Sequence, residues 1–373
     1  MKDYLKHYRV TIRALSPIYI GSGVQLGKKE YLYMPWNHRV IVPDFEKMYM
    51  TVQKKGLQRE FDSYMMNSRN NLPSLSQWMK QHQFRNEDYE VWKRYEMDAG
   101  DAFATQTGRP KGIDTFIKDA YGKPYVPGSS IKGMFRTALI AWEIQNNPRY
   151  YARTKREIER SARERASRKQ CLAKETDYLE QQVLYTLNRD ETKAGSAVND
   201  NMSGLHVGDS VPISVEQLTL CQKIDYTLER EEKCLPLLRE VLKPGTEITF
   251  DVSIDTTLCP YCMEDIMEAL NVFNGMCNRY FYARFCRSTK DKDVIWLGGG
   301  AGFPSKTVHY ALFGDDAYRV IDSIFKNTLG VSYNKHKHSK DIRLKLAPHV
   351  CKCTRYNGKL YDMGKGQISY TET

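Results

Sequence analysis

Lys132 and Arg136 stand four residues apart, just after the turn Pro127-Gly128-Ser129-Ser130, and that spacing puts two cations on one face of a helix. Pro-Gly bends the chain, and the hydroxyl of Ser129 or Ser130 is suited to cap the helix. The amides that follow carry the positive end of the helix dipole, a setting that suits phosphate. Ile131, Phe135, Leu139 and Trp142 repeat at spacings of four, four and three, which predicts an opposite, core-facing side. Gly133 in the first turn costs about 1 kcal/mol relative to alanine, and the close approach of a ligand or another backbone would explain it. The competing account is a capped amphipathic helix with ordinary solvated cations.

A second candidate anion site is Gly298-Gly299-Gly300-Ala301-Gly302, entered from the apolar run Val294-Ile295-Trp296-Leu297 and followed by Lys306. Such a loop offers bare backbone amides to phosphate. Neither nucleotide motif is complete. A P-loop needs Gly directly before its Lys, where Ser305 stands, and the dinucleotide fingerprint needs a third Gly, where Phe303 stands.

Further clusters have weaker claims. Cys259-Pro260-Tyr261-Cys262 has a zinc-binding spacing, with Cys351, Cys353 and His349 as conceivable partners, but no second tight pair follows, and burial at a strand-to-helix turn explains it better. His38, beside Arg39, is the best candidate for a general base, yet Asn37-His38-Arg39 reads as a hairpin turn. His336 and His338 lie among Lys335, Lys337 and Lys340, the pattern of a solvated basic loop. Asp190 and Asp200 sit in a polar stretch where turn-forming aspartates are common.

The segments Pro127 to Arg136 and Leu297 to Phe303, with an opening strand ending in Leu15-Ser16-Pro17-Ile18-Tyr19-Ile20-Gly21-Ser22-Gly23, resemble the RAMP superfamily of CRISPR RNA-binding proteins. Ile113 to Asp119, Gly204 to Ser210, Ala347-Pro348-His349 and Tyr361 to Gly364 follow in the order of the large RAMP subunit that caps the guide-RNA filament of type III-A (Csm) effectors. The resemblance implies an α+β protein of tandem ferredoxin-like (RRM-like) RAMP domains. Its implied partners are the crRNA guide, other RAMP subunits of the Csm complex and target RNA. It implies RNA contacts at Ser129, Ser130, Lys132, Gly133, Arg136, Gly298, Gly299, Gly300 and Lys306, and no catalytic residue, metal or cofactor. Tyr19 departs from relatives that carry His there, so no role of that His transfers. The function expected is a non-catalytic subunit holding the guide 3′ region. The alternatives are a metal-independent endoribonuclease that processes guides and a terminal subunit of a type III-B complex.

The elements that must position these residues are legible in outline. Tyr8, Val10, Ile12 and Ala14 alternate with polar residues as a strand, and Ile248, Phe250, Val252 and Ile254 form another. Helices are predicted from about Asp44 through Phe45, Met48 and Val52, through Ile266, Leu270, Phe273, Cys277 and Tyr280, and through Ala317, Val320, Ile321 and Phe325. At 373 residues, two domains are expected, 1–150 and 216–373, separated by a basic helical insertion at 151–215. Within it, Arg153 to Lys169 reads as one helix with a thin stripe of Ile158, Ala162 and Ala166, either solvated and held by Glu–Arg pairs or an arm for RNA. Residues 187–209 read as a mobile loop, which the resemblance equates with a thumb over the guide.

Composition agrees with RNA as a partner: 56 Lys and Arg exceed 45 Asp and Glu, for a net charge of +11, and 25 tyrosines can stack on bases. No apolar run has membrane-spanning length, and Met1 to His7 lacks a signal-peptide core, so a cytoplasmic protein is expected. The nine cysteines are expected to be reduced thiols.

Overall fold

The computed structural model describes residues 4–69, 72–104 and 112–373; Met1 to Asp3 of the opening segment lie outside it. The protein is α+β, with helices packed around two sheets. The first sheet runs in the order Val294–Trp296, Lys365–Glu372, Leu5–Ala14, Glu247–Asp255, Leu205–Val207, and all neighbours are antiparallel. Leu5–Ala14 is central: Val10 lies opposite Phe250 on one side and Tyr370 on the other. Its alternation of polar and apolar residues becomes the alternation of outer and core faces, with Val10 and Ile12 fully buried.

Two helices complete this layer. Gly128–Asn146 precedes the Leu205–Val207 edge strand, Met263–Tyr280 follows Glu247–Asp255, and the two pack against each other. Taken in sequence, the parts follow a β-α-β-β-α-β order, to which Lys365–Glu372 adds a fifth strand. Strand pairing runs across residues 150 and 215. Both neighbours of the N-terminal strand come from the last third of the chain, and in the second sheet Gly112–Phe116 runs parallel to Glu232–Leu242. One continuous core extends from Tyr8 to Ile368 across both boundaries. Alternation reports that a strand has a buried face but not which strands flank it, so the sequence could not reveal this interleaving.

The second sheet runs Gly21–Leu26, Gly112–Phe116, Glu232–Leu242, Leu218–Thr227, Lys93–Asp98, Arg39–Pro43, Leu32–Met34, with Val350–Tyr356 also on Leu218–Thr227. Its Leu32–Pro43 hairpin supports a helical insertion with a separate small core of Met48, Val52, Phe61, Trp78 and Trp92. Asp44 caps the first of these helices, Phe45–Lys54, by accepting from the Lys47 amide at 3.2 Å, while Phe45 itself is exposed.

The basic segment is shorter than expected. Its helix is Ala152–Ser161, and the chain turns away because the Asn327 side chain donates to the carbonyls of Ala162 (3.0 Å) and Glu164 (2.8 Å). Arg153–Glu157 and Arg163–Glu159 pairs at i,i+4 do line the solvent side. Residues 187–209 are ordered by side chains: Asn199 bonds the backbone of Asp190, Lys193 and Ala194, and Asp200 accepts from the Met202 amide. No helix among the described residues is long and apolar enough to cross a membrane.

Candidate nucleic-acid interface

The helix at the centre of the anion argument begins at Gly128, with Pro127 as its cap residue and no side-chain cap from Ser129 or Ser130. The Gly128 amide instead donates to the Asp209 carboxylate at 2.8 Å. Eighty-one residues away in sequence, Asp209 thus brings a negative charge of the protein's own to the dipole end predicted to meet phosphate. Gly128 is required by packing, since a Cβ there would stand 2.1 Å from the Val207 carbonyl oxygen. The core side of the helix is as predicted, with Ile131, Phe135 and Leu139 fully buried and Trp142 half-buried against Tyr261.

Lys132 and Arg136 do not present a free basic face. Lys132 Nζ donates to the carbonyls of Met202 (2.7 Å) and Leu205 (2.8 Å), and burial lowers its pKa. Arg136 Nη2 reaches Glu180 at 3.0 Å and Asp200 at 3.3 Å. Both cations therefore clamp the 173–205 segment onto the helix. Spacing placed them correctly on one face, but that face is covered by an insertion whose position no local pattern encodes. Ser129 and Gly133 remain exposed, and a Cβ on Gly133 would meet nothing within 4 Å.

The glycine loop also turns inward. Gly298 and Gly300 have positive φ (82° and 84°), whereas Gly299 is glycine because of proximity. The Gly299 amide donates to the Tyr19 carbonyl at 2.7 Å, and a Cβ on Gly298 would lie 2.2 Å from that oxygen. A Cβ on Gly300 would lie 2.5 Å from Arg239 Nη1. Arg239 in turn lies over the Tyr19 ring at 5.1 Å and faces Asp114 at 3.8 Å. Burial lowers the pKa of Arg239 and raises that of Tyr19. Lys306, past the loop, is exposed; its amide donates to the Phe303 carbonyl at 3.0 Å, while its ammonium makes no ion pair or hydrogen bond among the described residues, and burial by the surrounding protein lowers its pKa.

The short segments that carried the family resemblance meet in space. Gly364 donates its amide to Pro17 (2.9 Å), Leu297 to Gly364 (2.7 Å) and Ile117 to Ile20 (2.9 Å). Ser22 and Thr115 hydroxyls pair at 2.6 Å on the wall of a groove of about 940 Å³, also lined by Arg94, Lys118 and Lys123. Lys118 is neutralised by Glu240 at 2.5 Å, while Arg94 and Lys123 are exposed. Sequence reasoning passed over both of these cations, which carry no motif of their own.

The remaining candidates separate clearly. His38 has φ of 54° in an exposed hairpin turn, as its neighbours implied. Asp200 is held by Arg136, and Asp190 accepts from Thr192 and Lys193 within its own turn. Cys259 is buried and Cys262 is exposed at a helix start, and neither joins a metal-ligating group among the described residues. His338 overturns its reading as part of a solvated loop. It is buried, with Nδ1 3.0 Å from Asp341, and His349 contacts the same carboxylate. The flanking lysines hid this, because the partner His349 arrives from a different element.

The RAMP superfamily profile matches residues 11–258. Over its length the chain is similar to the curated "CRISPR system Cms protein Csm5" of Mycobacterium tuberculosis, 29% identical with 99% of each chain covered. The protein of the same name from Streptococcus thermophilus is 24% identical, covering 100% of this chain and 99% of its own. Among solved structures, a chain of the cryo-EM Csm–crRNA–target RNA ternary complex of a type III-A CRISPR-Cas system superposes with a TM-score of 0.68 at 18% identity, covering 97% of this chain and all of that one. The crystal structure of T. onnurineus Csm5 gives 0.62 at 18% identity, covering 96% of this chain and 99% of that one. These likenesses describe the same fold.

Proposed function

Since the chain belongs to the RAMP superfamily, we propose that it is the end-capping, crRNA-binding subunit of a type III-A Csm effector, acting in the cytoplasm beside other RAMP subunits and target RNA. The observation that carries this is the end-to-end similarity to proteins named Csm5, which leaves no large part of the chain to a different activity. RNA is gripped through its backbone by the exposed surface around Ser129, Ser130 and Gly133, by Lys306, and by Arg94 and Lys123 at the groove mouth. Lys132, Arg136 and the Gly298–Gly300 loop act behind that surface, holding the insertion and the C-terminal segments in register. Contacts of this kind read charge and shape, which suits a subunit that must accept any guide sequence. The subunit is a structural one, and guide 3′ maturation depends on its holding the strand.

Co-expression with the other complex subunits and a crRNA array tests this. The chain should copurify with the assembly, and its omission should leave guides with altered 3′ ends. Site-specific, metal-independent cutting of repeat RNA by the purified chain would replace this proposal with the endoribonuclease alternative.

A further inference from the structure

We propose that His338, Asp341 and His349 form a binding site for a divalent first-row transition ion, zinc foremost. Their ligand atoms all lie within 4.8 Å of one another. Asp341 is fully buried in the short helix Ser339–Leu344; one carboxylate oxygen faces His338 Nδ1 at 3.0 Å and the other contacts His349 Nδ1, just before the Val350–Tyr356 strand. No lysine or arginine pairs with Asp341 among the described residues. A buried carboxylate needs hydrogen bonds and a compensating positive charge. An ion between these ligands supplies that charge.

The chemistry of the set narrows the ion. Two imidazoles with one carboxylate suit zinc, cobalt, nickel and their neighbours, whereas magnesium and calcium prefer oxygen ligands throughout. His338 and His349 also line a cavity of about 380 Å³, which gives an ion a way in and leaves room for water as a further ligand. The His338 ring is fixed by Phe325 at 4.7 Å and Tyr333 at 5.8 Å. Lys335, Lys337 and Lys340 stand at the same cavity; solvent screening weakens their repulsion of a cation, and they attract an anionic oxygen to the open position. A second cluster, Cys351, Cys353 and Asp362, is compact too, but Arg287 and Lys365 already neutralise Asp362. That contrast singles out Asp341.

The test uses full-length protein stripped with EDTA and desalted, with cobalt as the spectroscopic probe and zinc counted by mass spectrometry. One ion per chain is expected, with visible d–d bands, no near-ultraviolet thiolate band, and a melting temperature raised by zinc but not by magnesium. His349→Gln and His338→Gln should each weaken cobalt binding at least tenfold; the first, at a partly exposed position, should remain folded. The unaltered protein needs no variant: failure of zinc to bind it or to shift its melting overturns the proposal. A strong thiolate band also overturns it, by assigning the ion to cysteines. Equal binding by both variants would do the same.

Discussion

Replacing Lys132 and Arg136 separates a structural clamp from an RNA contact. Lys132→Met removes a cation that donates to the carbonyls of Met202 and Leu205 at 2.7 and 2.8 Å. Hydrogen bonds from a charged donor contribute about 1.5–3 kcal/mol each. The burial that lowers the lysine's pKa offsets part of this. A net loss of roughly 2–3 kcal/mol follows. Arg136→Ala leaves Asp200, which is 15% exposed, without its cation, while Glu180 is more open at 36%. Solvent screening limits this second loss to about 1–2 kcal/mol. Both cations hold the same 200–205 stretch, Arg136 through Asp200 and Lys132 through Met202 and Leu205, so the double variant should fall short of the sum, at about 3–4 kcal/mol. Urea unfolding of the isolated chain, followed by tryptophan fluorescence, measures it, with protease sensitivity of residues 185–205 as the local readout. At temperatures where it is still folded, the double variant should bind single-stranded RNA almost as well as the parent. Unchanged urea stability with RNA binding lost would show that both cations face solvent and RNA, and the clamp would be wrong.

Gly133→Ala should stabilise the helix by about 0.5–1 kcal/mol, because nothing stands within 4 Å of the added methyl; weaker RNA binding in the stabilised variant, read by filter binding, would mark the close approach of RNA there, and unchanged binding would remove Gly133 from the interface. Gly298→Ala combines a positive φ with a Cβ 2.2 Å from the Tyr19 carbonyl oxygen and should cost about 2–4 kcal/mol in denaturant unfolding, or block soluble expression. RNA affinity should fall with salt at a log–log slope of roughly −2 to −3.5 if three to five phosphates are neutralised, and Lys306→Ala should make the slope shallower by about 0.7 without altering melting. Burial holds His309 down to about 4, so the unfolded chain binds more protons than the folded one between that value and the ordinary 6.5. Stability carried by the neutral ring is full above pH 6.5 and is lost as pH falls through 4, by at most about 3 kcal/mol; His309→Gln should flatten stability–pH curves in that window.

Much of the local structure was legible. Val10 and Ile12 announce a strand with a buried face, and Ile131, Phe135 and Leu139 announce the core side of a helix. Each is a property of neighbours in sequence, where periodicity of 2 or 3.6 converts directly into which side is buried. The family, too, could be read from short segments, because their order along the chain survives without any knowledge of where they meet. What the tertiary structure alone decided is how the polar groups are matched. Asp209 reaches the helix start, Lys132 finds carbonyls seventy residues on, Gly299 closes onto Tyr19, and His349 joins His338 at Asp341 across a short helix and a turn. A buried donor or charge must be satisfied by whatever the topology brings near, and topology sets those partners over separations that no periodic pattern spans. For that reason the same cation pair that reads from sequence as an RNA contact becomes, in the folded chain, a clamp.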